Sequence, residues 1–170
     1  MIRINRAPVL TLWAAVVAER LGFDHDEALT LGRAIAGLSA QAKGRRLGIF
    51  EPSPDNLEQK RREHGPDEVM IHFMQRQVPV IVTPDGIRAA THGKPMSPQG
   101  VDRYIAGKFG AHLDEARAAM SALAKSIPVS EINHLAFGLY TKFRPEVPDG
   151  VEGWGASGVL SLGAIRKAAD

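Results

Sequence analysis

Residues 8–43, PVLTLWAAVVAERLGFDHDEALTLGRAIAGLSAQAK, decide how this chain folds. Pro8 suits the first turn of a helix, where its missing N–H would have no intrahelical partner. From Val9 to Ala18 only Thr11 is polar. A helix apolar on every side is a helix buried on every side. Gly22 fits the left-handed stop just past a helix end. Asp24 and Glu27 have capping-box spacing and start a second helix, whose Ala28, Leu31, Ile35 and Leu38 recur at helical period. Gly32 and Gly37 interrupt it. Glycine costs a helix interior roughly 1 kcal/mol relative to alanine, so both read as places where another backbone comes close. Gly44 reads as the stop. The stretch is therefore a buried helical hairpin.

Two other readings of this stretch are weaker. Arg3, Arg6 and the apolar run ending in Val16–Val17–Ala18 imitate a secretory signal, but the run leads directly into a second helix start. A membrane span needs about 20 consecutive apolar residues, more than the run supplies. The first helix carries more apolar surface than one neighbour covers. Either the C-terminal helices or a second copy of the chain, in a symmetric homodimer, is expected to cover the rest.

Downstream, residues 43–50 leave the second helix through a basic elbow and return to apolar character at Leu47, Ile49 and Phe50. Ser53–Pro54 starts a short surface helix through Glu63. The period then changes. Val69, Ile71 and Phe73, then Val78, Val80 and Val82, alternate as strand residues do, and Thr83–Pro84–Asp85–Gly86 is a reverse turn. A weaker third strand carries Ile87, Ala89 and Thr91. Pro79 argues against a central position for the middle strand. Helical period returns after Ser97–Pro98 (Val101, Tyr104, Ile105, Phe109), continues with Leu113, Ala116, Met120 and Leu123, and recurs after Ser130 (Ile132, Leu135, Ala136, Leu139, Phe143). Residues 145–158 read as loop, with a short strand or helix from Val159.

The expected class is α+β: a buried N-terminal helical hairpin, a small antiparallel β-meander and C-terminal amphipathic helices. The 170 residues suit one domain over 1–170, or two lobes over 1–65 and 66–170. With no cysteine, disulfides, thiolate catalysis and cysteine-ligated zinc are excluded, and a cytoplasmic location is the expectation. A formal charge of +2 forces no nucleic-acid partner by itself.

Three constellations bear on function. Residues 43–65 carry six basic groups against four acidic ones. Lys43, Arg45 and Arg46 crowd a helix end, and Lys60, Arg61 and Arg62 follow, so this elbow is the candidate nucleic-acid-binding element. The competing reading is a solvated face, because three consecutive helical residues fan around the axis. Aromatic platforms are absent nearby apart from Phe50. Second, Gly153–Trp154–Gly155–Ala156–Ser157–Gly158 has the spacing of a phosphate-cradling loop but lacks the strand before it and the acidic residue after it. Gly153, Trp154 and Gly155, with the strand histidines His72 and His92, mark an alternative small-molecule site beside the meander. Third, the six histidines (His25, His64, His72, His92, His112, His134) show no helical metal-ligand spacing. No cofactor motif and no metal site are expected. The reading is a non-enzymatic interaction module, with a small-molecule-binding protein or enzyme as the alternative.

Overall fold

The computed structural model describes residues 1–46, 68–147 and 157–170. The class is α+β, built from an N-terminal helical pair, a meander sheet and C-terminal helices. The run Leu47–Phe50, the short helix through Glu63 and the lobe boundary near Gly65–Pro66 lie outside the described residues.

Helix α1 spans Arg6–Arg20 and is buried continuously from Pro8 to Ala18. Thr11 is tolerated there because its hydroxyl donates to the Ala7 carbonyl at 2.8 Å. Trp13 likewise donates its indole N–H to the Ala136 carbonyl at 2.9 Å and meets Phe143 edge-on. Gly22 follows with φ 108°, the conformation glycine adopts without strain. Helix α2 runs His25–Arg46, past Gly44, so the expected stop there is not one. Its start is a full capping box: Glu27 N–H donates to the Asp24 carboxylate, and Asp24 N–H to Glu27 Oε1. Gly32 faces the backbone of α1, where a Cβ would collide with the Thr11 carbonyl and the Ala15 amide. Gly37 does not behave as the sequence suggested: among the described residues nothing lies within 4 Å of the position its Cβ would take.

The sheet has the order β2-β3-β4-β5, with β2 Glu68–Phe73, β3 Arg76–Thr83, β4 Gly86–Thr91 and β5 Lys94–Pro95. All its pairings are antiparallel. Strand β3 is central after all, and the register explains how it accommodates Pro79. Pro79 pairs with Met70 of β2, while the β4 ladder begins only at Val80, so β3 is paired on one side at that residue. The part of β4 that precedes its pairing with β5 is closed by α2. Ile87 N–H donates to Glu27 Oε2 at 2.9 Å, and Ala89 N–H to the Thr30 hydroxyl at 3.0 Å. Strict alternation in β4 fails at Arg88, which is 7 % exposed rather than solvated. Its guanidinium folds back to donate to the Ile87 carbonyl and lies 3.8 Å from Asp26 of α2.

The tip between β2 and β3 holds Met74 and Gln75 at φ 49° and 64°. That left-handed pair normally calls for asparagine or glycine. Here docking holds it: Met74 is buried and its N–H donates to the Asn133 side chain at 2.7 Å.

Helix α3 is Pro98–Phe109, begun by Ser97, whose hydroxyl accepts from Gly100 N–H. One short turn, Gly110–His112, leads to α4, Leu113–Ser126. Helix α5 is Val129–Phe143 and begins after Pro128, so Ser130 lies inside it and is not its cap. Its buried stripe is Ile132, Ala136, Leu139, Tyr140 and Phe143, and Leu135 is 41 % exposed, one position off the stripe. Helices α3, α4 and α5 close over the sides of α1 that α2 leaves open. The surface that raised the question of a second copy is thus covered within one chain.

The short strand expected from Val159 is present, but its partner near the N-terminus, with which it makes a ribbon, was not foreseen. Strand β1, Ile2–Asn5, pairs antiparallel with β6, Ser157–Leu160. Glu146 bridges Val159, so residues 145–158 are not loop throughout. Gly158 belongs to this ribbon: a Cβ there would stand 2.7 Å from the Glu146 carbonyl. Helix α6, Leu162–Lys167, completes the chain.

Candidate ligand groove

The exposed face of α2 that carries Gly37 does not look into bulk solvent alone. It forms one wall of a groove of about 940 Å³. The α2 wall carries Arg33, Gly37 and Gln41, four residues apart and therefore on one face of the helix. The floor is the outer face of the meander, where Met70 of β2 stands opposite Pro79 of β3. The second wall is α3, through Val101 and Tyr104. Arg76, at the start of β3, and His92, in the turn between β4 and β5, also line the groove.

The groove is cationic and partly apolar. Arg33 and Arg76 line it, and Glu68 is the sole carboxylate among the described lining residues. The Arg33 guanidinium carbon lies over the Tyr104 ring, 4.9 Å from its centroid. Burial raises the Tyr104 phenol above its ordinary value, and the Arg33 charge opposes that rise in part. The ring is therefore neutral near pH 7 and offers its π face to a cation, worth roughly 0.5–1 kcal/mol at a site of this exposure.

The candidates read from the sequence fall in different places. Instead of the expected strand, His92 occupies the turn after β4, from which it lines the groove with φ 51°, whereas His72, opposite Gln77 in the β2–β3 ladder, is not among the lining residues. Lys43, Arg45 and Arg46 occupy the last turn of α2. By helical period, position 45 continues the face that carries residues 37, 38, 41 and 42 along the groove, while position 43 lies on the opposite side. Lys60, Arg61, Arg62, Gly153, Trp154 and Gly155 lie outside the described residues. Arg33, Arg76 and Tyr104 are the members that sequence reading passed over. The i, i+4, i+8 row of Arg33, Gly37 and Gln41 was the available signal, a polar and small stripe opposite an apolar one.

A second concavity, of about 440 Å³, lies between α1 and α4 beside Glu19, Arg20 and Lys125. Its arginine is committed to the fold. Arg20 donates to the carbonyls of Ala124 and Ile127, where α4 ends. The other polar clusters are local: His25 pairs with Glu19 across the corner between α1 and α2, and His112 with Glu115 in the first turn of α4. Among the described residues no group of three His, Cys, Asp or Glu is placed to hold a metal, and no helix is long and apolar enough to cross a membrane. Compared with protein families, with characterised proteins and with solved structures, the chain matches none.

Proposed function

We propose that this protein is a binding module for a phosphate-bearing anion, held in the groove between α2, the meander and α3. The observation that carries the reading is the charge of the groove among the described residues: two arginines, on α2 and on β3, against one lining carboxylate. Arginine presents a planar fork of donors that matches a phosphate in two bonds at once. The basic elbow of the sequence belongs to the same reading, since position 45 extends the groove-lining face of α2. A nucleic acid suits a row of cations better than a ligand with one charge does. The module reading also takes up the small-molecule alternative, with the site beside the meander at His92 and not at His72.

The test is a fluorescence-anisotropy titration with labelled oligonucleotides at several salt concentrations. Each cation that displaces a counterion from a single strand contributes about 0.7 to the log–log salt slope. Arg33 and Arg76 alone give a slope of about −1.4, and engagement of Arg45 steepens it to about −2.1. Replacing Arg33 or Arg45 by alanine flattens the slope by about 0.7 each. A protein that binds no oligonucleotide at low salt does not have this function.

A further inference from the structure

We infer that the groove takes a single strand rather than a duplex, and that one base of that strand stacks on the Arg33–Tyr104 pair. The inference rests on the anion-binding reading above and adds the ligand's class. A duplex hides the faces of its bases and presents phosphates, for which a row of surface cations suffices. The groove offers more than that. Met70 and Pro79 on the floor are apolar, and Met70 is exposed, with nothing to meet in a phosphate-only contact. Tyr104 is half-buried, and Arg33 lies across its ring rather than reaching into solvent. That contact orders the guanidinium before any ligand arrives. A guanidinium lying over an aromatic ring leaves its outer face for a base, because bases of single strands stack on arginine planes as well as on aromatic rings.

Size and the course of the charge point the same way. About 940 Å³ lies at the upper end of small-molecule sites, which run roughly 300–1,000 Å³. The two arginines stand on different elements, Arg33 on α2 and Arg76 on β3. A ligand with flat apolar parts and repeated negative charges, longer than one unit, matches this arrangement. A single-stranded nucleic acid is that ligand. Since every base has a π face, recognition through the pair is tolerant of sequence.

The experiment compares four probes by anisotropy or competition at one salt concentration. They are a thymidine oligonucleotide, an abasic oligonucleotide of equal length, a duplex of equal length and the free mononucleotide. The thymidine strand is expected to bind about 10-fold tighter than the abasic strand, the size of one stacking contact. Tyr104→Phe retains that preference, Tyr104→Leu abolishes it, and Arg33→Lys, which keeps the charge but not the plane, loses most of it. If Tyr104→Leu does not fold, the abasic comparison on the parent chain decides alone. Equal binding of the thymidine and abasic strands overturns the stacking inference and leaves the anion reading intact. Duplex binding as tight as the single strand overturns the choice of strand, as does a mononucleotide that binds as tightly as the oligonucleotide. Failure of every probe to bind overturns the anion reading itself.

Discussion

Gly32 and Gly37 have the same residue type, the same helix and nearly opposite consequences. At Gly32 a methyl group would enter the space of the Thr11 carbonyl and the Ala15 amide, both backbone atoms that cannot swing aside. Gly32→Ala is expected to cost about 1–3 kcal/mol in urea denaturation, by overpacking the contact between α1 and α2. At Gly37 a methyl group meets nothing within 4 Å among the described residues. Gly37→Ala is expected to raise stability by up to about 1 kcal/mol, the helix-propensity difference. A larger side chain there, as in Gly37→Leu, is expected to leave folding intact and weaken ligand binding by filling the groove. Tyr140 gives a second test at this scale. It is buried, its hydroxyl donates to the Arg6 carbonyl, and burial pushes its phenol up to about 12 from an ordinary 10.0. The unfolded chain therefore loses this proton first. The contribution is complete below pH 10, declines as pH rises toward 12 and is gone above it, amounting to about 2–3 kcal/mol at most. Tyr140→Phe is expected to remove this alkaline loss, seen as the difference between the two chains in denaturation midpoint across that range.

At the scale of elements, the joint between α2 and the meander rests on Glu27. One carboxylate oxygen closes the capping box and the other accepts the Ile87 amide from the open edge of β4. Gly86, at φ 118°, allows this approach: a Cβ there would stand 2.9 Å from the carboxylate. Hydrogen bonds to a charged group contribute about 1.5–3 kcal/mol, so Glu27→Ala is expected to cost more than loss of a surface cap and to expose the β4 amides to hydrogen exchange. The capping role was legible in the sequence because Asp24 and Glu27 are three residues apart. The sheet role was not, because nothing local says which strand edge a helix will cover. The same division runs through the fold. The hairpin, the three main strands and the turn at Pro84–Asp85 could be read from local period and turn chemistry. Strand β1 could not, because four residues of alternation carry little signal and the partner, Ser157–Leu160, lies at the other end of the chain. The cap at Ser130 misled because Pro128, two residues earlier, already fixes a backbone that can begin a helix.

In the whole molecule, one buried cluster draws on α1, α2, the meander and the C-terminal helices together, and the groove lies where three of these parts meet. That is why half of the candidate site was hidden in the sequence. Basic residues near the end of α2 could be read directly, but Tyr104 is on another helix and Arg76 on a strand, and only folding sets them beside Arg33. The central claim is that this groove is where an anionic strand binds. Amide chemical-shift mapping of the labelled protein with a thymidine oligonucleotide tests it most directly. The expected result is a set of saturable shifts at Arg33, Gly37, Gln41, Arg76 and His92, with Glu19, Ser121 and Lys125 of the other concavity unmoved. Shifts confined to Glu19, Ser121 and Lys125, or no saturable shift at the groove, would contradict it.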